Sequence, residues 1–490
     1  KNINSITTSS DENKRRYDNM YTTKTATNIR QEKEQNINSK SDVVMNSNIN
    51  VMGGDVKINT GGNILTRNIN NMINADNINL KAGKDIGTDL QPVQPVVYSK
   101  TGSIVANANN IYMNFNTMAE DNAFNKLELK TLLTGGSIKL LTDGDLIEKN
   151  ISNINIKADN LSFDVKGGDV SLDVKKNSTL DNLSVSVLDG IADGAINIAL
   201  NDNLNIYSLR SRNNDDIRLT SYYFSIHSAI QNSINGIIKN IYGKNVVLSA
   251  GGEIGTKENP ITIANDGNYY VTSKNDINLK SDSRVYVDLL KSTSGNVNVE
   301  AGYGIMAANS TDDLFYNVYG KDINLTTHAG NLENMSIFSD GVLNLIAGYT
   351  NDGKPSGLSD INVTVVSHEK VLDEDASKIT PEEYERKYNL NKDLKIGKIQ
   401  ASKDVSLYAD GSIINADKNS SVAGREVILA SKAGHVGTES SPININASRN
   451  VSVYAGEDKN VCLNSLSEYG LSIDEIRTFV KNDGSDKSAP

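Results

Sequence analysis

The sequence predicts an all-β chain, a parallel β-helix (solenoid) with small helical insertions. Three observations predict it. A phrase built on an aliphatic residue, Gly-Thr and a following Pro occurs three times. A shorter strand phrase with period two recurs throughout. Its copies stand 20 to 26 residues apart. Self-similarity at a fixed interval marks a repeat architecture, in which each unit buries its apolar side only by stacking on its neighbours.

The longer phrase reads "GGEIGTKENPITI" from Gly251 to Ile263. Its three sets are Ile86-Gly87-Thr88 with Pro92, Ile254-Gly255-Thr256 with Pro260, and Val436-Gly437-Thr438 with Pro442. Three of the 7 prolines are therefore spent on one repeated feature. Glycine supplies a tight corner without a Cβ clash. Proline cannot donate to a ladder, so it belongs at a corner or at the first residue of a strand. Turn chemistry accounts for every fixed residue, and the phrase is a coil corner.

The shorter phrase is a polar pair followed by alternating aliphatic and polar residues. Examples are Asp76-Asn77-Ile78-Asn79-Leu80, Asn275-Asp276-Ile277-Asn278-Leu279, Lys321-Asp322-Ile323-Asn324-Leu325 and Lys403-Asp404-Val405-Ser406-Leu407. Alternation places Ile78 and Leu80, Ile277 and Leu279, Ile323 and Leu325, Val405 and Leu407 on an inward face. Asn278 falls on the outward face, where its replacement by Asp is expected to cost little. From Ile277 the spacing to Val297 is 20, then 26 to Ile323 and 20 to Leu343; from Val405 it is 22 to Val427 and 24 to Val451. That length suits one coil of two or three short strands, each bonded to its counterpart roughly 4.8 Å away.

Residues 1–42 are polar and charged with little alternation, a lead-in expected to be partly disordered. The β-helix is expected over 43–368. Residues 369–395 break the pattern: Thr380-Pro381-Glu382-Glu383 has a helix N-cap, a first-turn Pro and a Glu three after the cap, which predicts a helical insertion at a coil corner. Coils resume over 396–465. Residues 466–490 are expected to hold a C-terminal helix and a polar tail. Ser472 would be its cap, Glu475 its third position, and Ile473, Ile476 and Val480 its apolar face, covering the open end of the coil stack.

The bulk numbers narrow the function. A net charge of −11 argues against nucleic acid as a partner, which calls for a basic stripe. A single cysteine, Cys462, excludes an intramolecular disulfide; that suits a cytosolic chain and equally a secreted one that crosses membranes unfolded. The chain starts "KNINSITTSS" without Met, and it is read as a fragment of something longer.

No cofactor or metal motif stands out. His227, His328, His368 and His435 lie far apart, without a HExxH pattern or a cysteine partner. Asp215-Asp216 and Asp312-Asp313 invite a glycosidase reading, but catalytic acids must converge across a groove and sequence adjacency does not achieve that. The expectation is a non-enzymatic protein. The aromatic clusters are candidates for a binding surface, because rigid amphipathic rings favour one. They are Tyr222-Tyr223-Phe224, Tyr269-Tyr270, and Phe315-Tyr316 with Tyr319.

Coils of this style, with N-x-D/N-I-x-L-x-A-G-x-I-G-T-x-x-x-P-I character over about Val43 to Leu463, resemble the filamentous haemagglutinin-like exoproteins of Gram-negative bacteria. The Asn/Lys/Ile-rich manner is similar to the leukotoxin-like filamentous adhesins and cytotoxins. The resemblance implies a right-handed parallel β-helix shaft. It implies export by a two-partner outer-membrane transporter and a secreted or cell-surface virulence protein acting on the host-cell surface. It assigns no individual functional residue. A pure adhesin without toxicity and a β-helical polysaccharide-degrading enzyme are the competing readings.

Overall fold

Ile277, Val297, Ile323 and Leu343 are successive partners in one parallel ladder, and Val405, Val427 and Val451 in another. The sequence intervals between these residues are therefore the coil lengths. The computed structural model describes residues 6–9, 21–24, 34–97, 102–115, 130–142, 146–147, 154–173, 183–230, 238–265, 267–308, 316–350, 352–365, 393–468 and 470–478. Among the described residues there is no helix. The strands form stacked parallel coils of a β-solenoid, within two units, residues 1–243 and 244–490.

In the first unit Val56, Ile78 and Ile104 stack in register, with Ile58, Leu80 and Ala106 alongside. In the second unit most successive strands alternate between two parallel sheets. Ile277–Ser281 belongs to one and Arg284–Ser292 to the other. All eight aliphatics assigned inward, from Ile78 to Leu407, are buried. Period two gives each strand one face for the core, and stacking coils makes the core continuous.

The polar pair before each strand also has a physical role. The side-chain oxygen of the residue preceding the strand accepts the backbone N–H of its equivalent one coil on. Asp276 accepts from Asn296 at 2.7 Å, and Asn296 from Asp322 at 3.1 Å. On the other sheet Asn331 accepts from Asp360, Asp360 from Asp404 and Asp404 from Glu426, at 2.9 to 3.1 Å. The first unit repeats the device through Asp42, Asn63 and Asp85. A corner N–H that the sheet leaves unpaired is thus satisfied by a short polar side chain.

The Ile-Gly-Thr phrase is one conserved geometry in three copies. Gly87, Gly255 and Gly437 all have positive φ, 71°, 62° and 73°. A Cβ on Gly255 would lie 2.5 Å from the Asn278 carbonyl oxygen. The threonine hydroxyl accepts the N–H three residues on: Gln91 to Thr88, Asn259 to Thr256, Ser441 to Thr438. In the latter two copies the proline directly precedes a strand, Ile261–Ala264 or Ile443–Ala447.

Two boundaries differ from expectation, the start of the coils and their resumption after the insertion. Glu34–Ser39 pairs in parallel with residues of Ile49–Thr60, so coils begin before residue 43. Ile6–Ser9 runs antiparallel to both Tyr21–Lys24 and Val43–Met45. These lead-in segments are polar, yet rich in Ile, Thr and Tyr, which suit strands. Much of the proposed insertion, residues 369–392 of 369–395, lies outside the described residues; the coil resumes with Leu394–Ala401.

The C-terminal helix is overturned. Ser472–Thr478 is a strand, parallel to Asn450–Ala455. The register shifts between Val451 and Ser452, so that Val451 faces Ile473 and Val453 faces Ile476. Asp474 is the extra residue of a β-bulge. The bulge sets two inward residues three apart instead of two, which imitates a helical period.

Candidate binding surface

The strand alternation that builds the core also sorts the tyrosines. Tyr269 and Tyr270 are neighbours in Asn268–Ser273 and point to opposite faces. Tyr269 pairs with Val246 and Val287 and is only 1% exposed, whereas Tyr270 is 42% exposed. Burial pushes the Tyr269 phenol far above its usual value. Tyr269 is therefore a core residue and leaves the candidate surface.

Tyr316 leaves it too. It is buried with Leu289 and Phe338, and Tyr319 packs half-buried against them. The Tyr316 and Tyr319 ring centroids lie 5.3 Å apart, and Tyr319 stacks on Phe338 at 4.9 Å and 4°. Lys291 donates to the Tyr316 hydroxyl at 2.9 Å, with its ammonium 5.1 Å from the Tyr319 ring centroid. Register explains the gathering: Lys291 pairs with Tyr319, and Tyr319 with Phe338, along one outward row. An aromatic ladder with a cation over it consolidates a sheet face.

In the first unit Tyr222 and Tyr223 follow the strand Ile217–Ser221. Tyr222 is partly buried; Tyr223 is 47% exposed, and Phe224 beside it is equally open. The structure adds outward aromatics not singled out from the sequence, Tyr303 and Tyr408. Tyr408 was legible, since it occupies the outward position after Leu407 in Val405–Ala409.

The other weighed groups are occupied locally. Asp216 pairs with Arg218 at 3.3 Å. Asp312, Asp313 and His368 lie outside the described residues. His435 accepts the Asn460 N–H through Nδ1 at 2.8 Å. Arg212, which the sequence does not single out, joins Asp164 and Asp193. Among the described residues no three His, Cys, Asp or Glu side chains converge on a metal-sized site.

Compared with protein-family models, curated proteins and solved structures, the chain has no match.

Proposed function

We propose that this chain is a β-helical shaft segment of a large secreted filamentous bacterial exoprotein, a cytotoxin or adhesin of the leukotoxin-like kind, and that it acts by contact with the host-cell surface. The observation that carries the reading is the division of labour in the coils. Inward aliphatics make the core, corner Asn and Asp close the backbone, and aromatics such as Tyr223, Phe224, Tyr270, Tyr303 and Tyr408 are left facing solvent. Exposed rings on a rigid scaffold suit recognition of a partner surface. The resemblance of the coil phrases to filamentous haemagglutinin-like exoproteins supports the same reading and suggests the two-partner route of export.

The test is binding of the purified, fluorescently labelled chain to cultured host cells, with lysis measured in parallel. Saturable binding that falls at least tenfold when Tyr223, Phe224, Tyr270, Tyr303 and Tyr408 are all replaced by Ser is the expected result. Binding that survives this replacement, or its absence in the native chain, refutes the contact role. Lysis then separates toxin from adhesin.

A further inference from the structure

His328 follows the strand Ile323–Thr327 in the second unit, and both of its ring nitrogens face hydrogen-bond acceptors. Nδ1 lies 3.0 Å from the Tyr349 carbonyl oxygen. Nε2 lies 2.8 Å from Glu300 Oε1. That carboxylate oxygen also accepts from the Lys280 ammonium at 2.7 Å, so it is committed as an acceptor. A neutral imidazole has one N–H and one lone pair. It can serve only one of these partners, and its lone pair then opposes the other oxygen. The imidazolium serves both.

Tyr349 opens a hairpin that stands off the coil. Tyr349 bridges Pro355 antiparallel, the Thr350 N–H donates to the Lys354 carbonyl at 2.9 Å, and the Ser356 N–H returns to Gly348 O at 2.9 Å. Ser356 Oγ also donates to the His328 carbonyl. We infer that His328 is a proton-dependent clasp: doubly protonated, it ties the hairpin formed by residues 349–350 and 352–356 to Glu300 on the coil face, and loss of one proton frees the Tyr349 end.

The surroundings make the histidine the responsive group. The outward row beneath it runs Lys280, Glu300, Thr326, Ile346 and Gln400, in which only the first two are charged. On the hairpin, Asp352 and Lys354 pair with each other at 2.8 Å. Burial pushes the Glu300 carboxyl up, but Lys280 and His328 outweigh it and hold it below the usual range. Glu300 therefore stays charged. On deprotonation the remaining N–H stays with the carboxylate, since a charge-assisted bond is the stronger. The carbonyl of Tyr349 then faces a lone pair. The clasped form binds one more proton than the released form, so its population falls as pH rises. Histidine is the side chain whose ordinary proton exchange falls between about pH 5 and 8.

The experiment is hydrogen exchange of the whole chain, corrected for intrinsic rates, at about pH 5.5 and pH 8. Protection of residues 349–350 and 352–356 is expected to fall several-fold at the higher pH, while that of residues 323–327 holds. His328→Gln, which carries no titrating proton, should remove the pH dependence with the coil still protected. Glu300→Gln should move the transition to lower pH. Hairpin protection that ignores pH in the native chain overturns the clasp, as does an unaltered pH dependence in folded His328→Gln. Should His328→Gln lose coil protection, an unmoved transition in Glu300→Gln overturns it instead.

Discussion

Asn298 donates its side-chain amide to Asn278 Oδ1 across 2.9 Å. The bond is one rung of a ladder. Asn278 donates to the Gly255 carbonyl, Asn324 to Asn298, and Asn344 to Asn324. The last free oxygen accepts the Lys398 N–H at 2.7 Å. Asn278 is only 4% exposed, which corrects its expected place on a tolerant outer face. Each amide donates to one coil and accepts from the next, and a carboxylate cannot donate. Asn298→Asp removes one rung and sets a charge against Asn278 Oδ1. It should destabilise the second unit by about 1–3 kcal/mol, read as a lower urea midpoint.

Gly255 supports a sharper comparison. Its positive φ and the close Asn278 oxygen both oppose a side chain. Gly353, with φ 78°, has nothing within 4 Å of an added Cβ. Gly353→Ala should therefore cost only the left-handed backbone strain, about 1–2 kcal/mol. Gly255→Ala should cost clearly more, because backbone must move as well. Thermal midpoints of the two variants decide this; equal losses would show that sterics at the corner are minor.

Tyr269 and Tyr270 test the sorting of the candidate surface. Truncating buried Tyr269 to Ala should cost about 3–5 kcal/mol, as for other large aromatic core residues. Truncating Tyr270 should change stability by less than about 1 kcal/mol and act only on cell binding. Circular-dichroism melts of both variants separate the two roles.

How far the sequence could be read follows from which interactions are local. Coil length was legible because Ile277, Val297, Ile323 and Leu343 repeat a period-two pattern at ladder spacing. The Gly255 corner was legible because turn chemistry is local. The outward Asn278 was misjudged, since alternation tells direction and not whether the row is roofed by its own neighbours. The C-terminal strand was misread because a bulge at Asp474 shifts the period. Among the tyrosines, which of Tyr269 and Tyr270 faces inward depends on register. The burial of Tyr316 depends on Phe338 arriving from the next coil.

Asp404 makes stability depend on acid. Burial pushes its carboxyl up, but the Arg425 guanidinium, bonded through two nitrogens at 2.9 and 2.6 Å, and the Glu426 N–H hold it below the usual value. A carboxylate held low in the folded chain adds stability above its unfolded pKa of about 3.9, and that stability is lost as pH falls. Asp404→Asn should be less stable than the native chain at neutral pH, with the gap narrowing at about pH 3. Urea midpoints at both pH values measure it; a constant gap would mean that the ion pair contributes nothing pH-dependent.

Ile473 and Ile476 continue the inward rows of Val451 and Val453 but are 52% and 46% exposed, whereas the two valines are fully buried. The rows are the same and the burial is not, because no described strand other than Asn450–Ala455 pairs with Ser472–Thr478. A charge at Val453 would be locked between coils, while one at Ile476 can reach water. Val453→Lys should therefore destabilise the second unit by several kcal/mol, and Ile476→Lys by no more than about 1 kcal/mol. A parallel edge carrying exposed isoleucines also invites edge-to-edge association, and lysine is an effective blocker of it. The double variant Ile473→Lys/Ile476→Lys should lower self-association in sedimentation velocity while keeping the thermal midpoint near that of the native chain. A steep fall in the midpoint would show that this rung is packed as tightly as those before it.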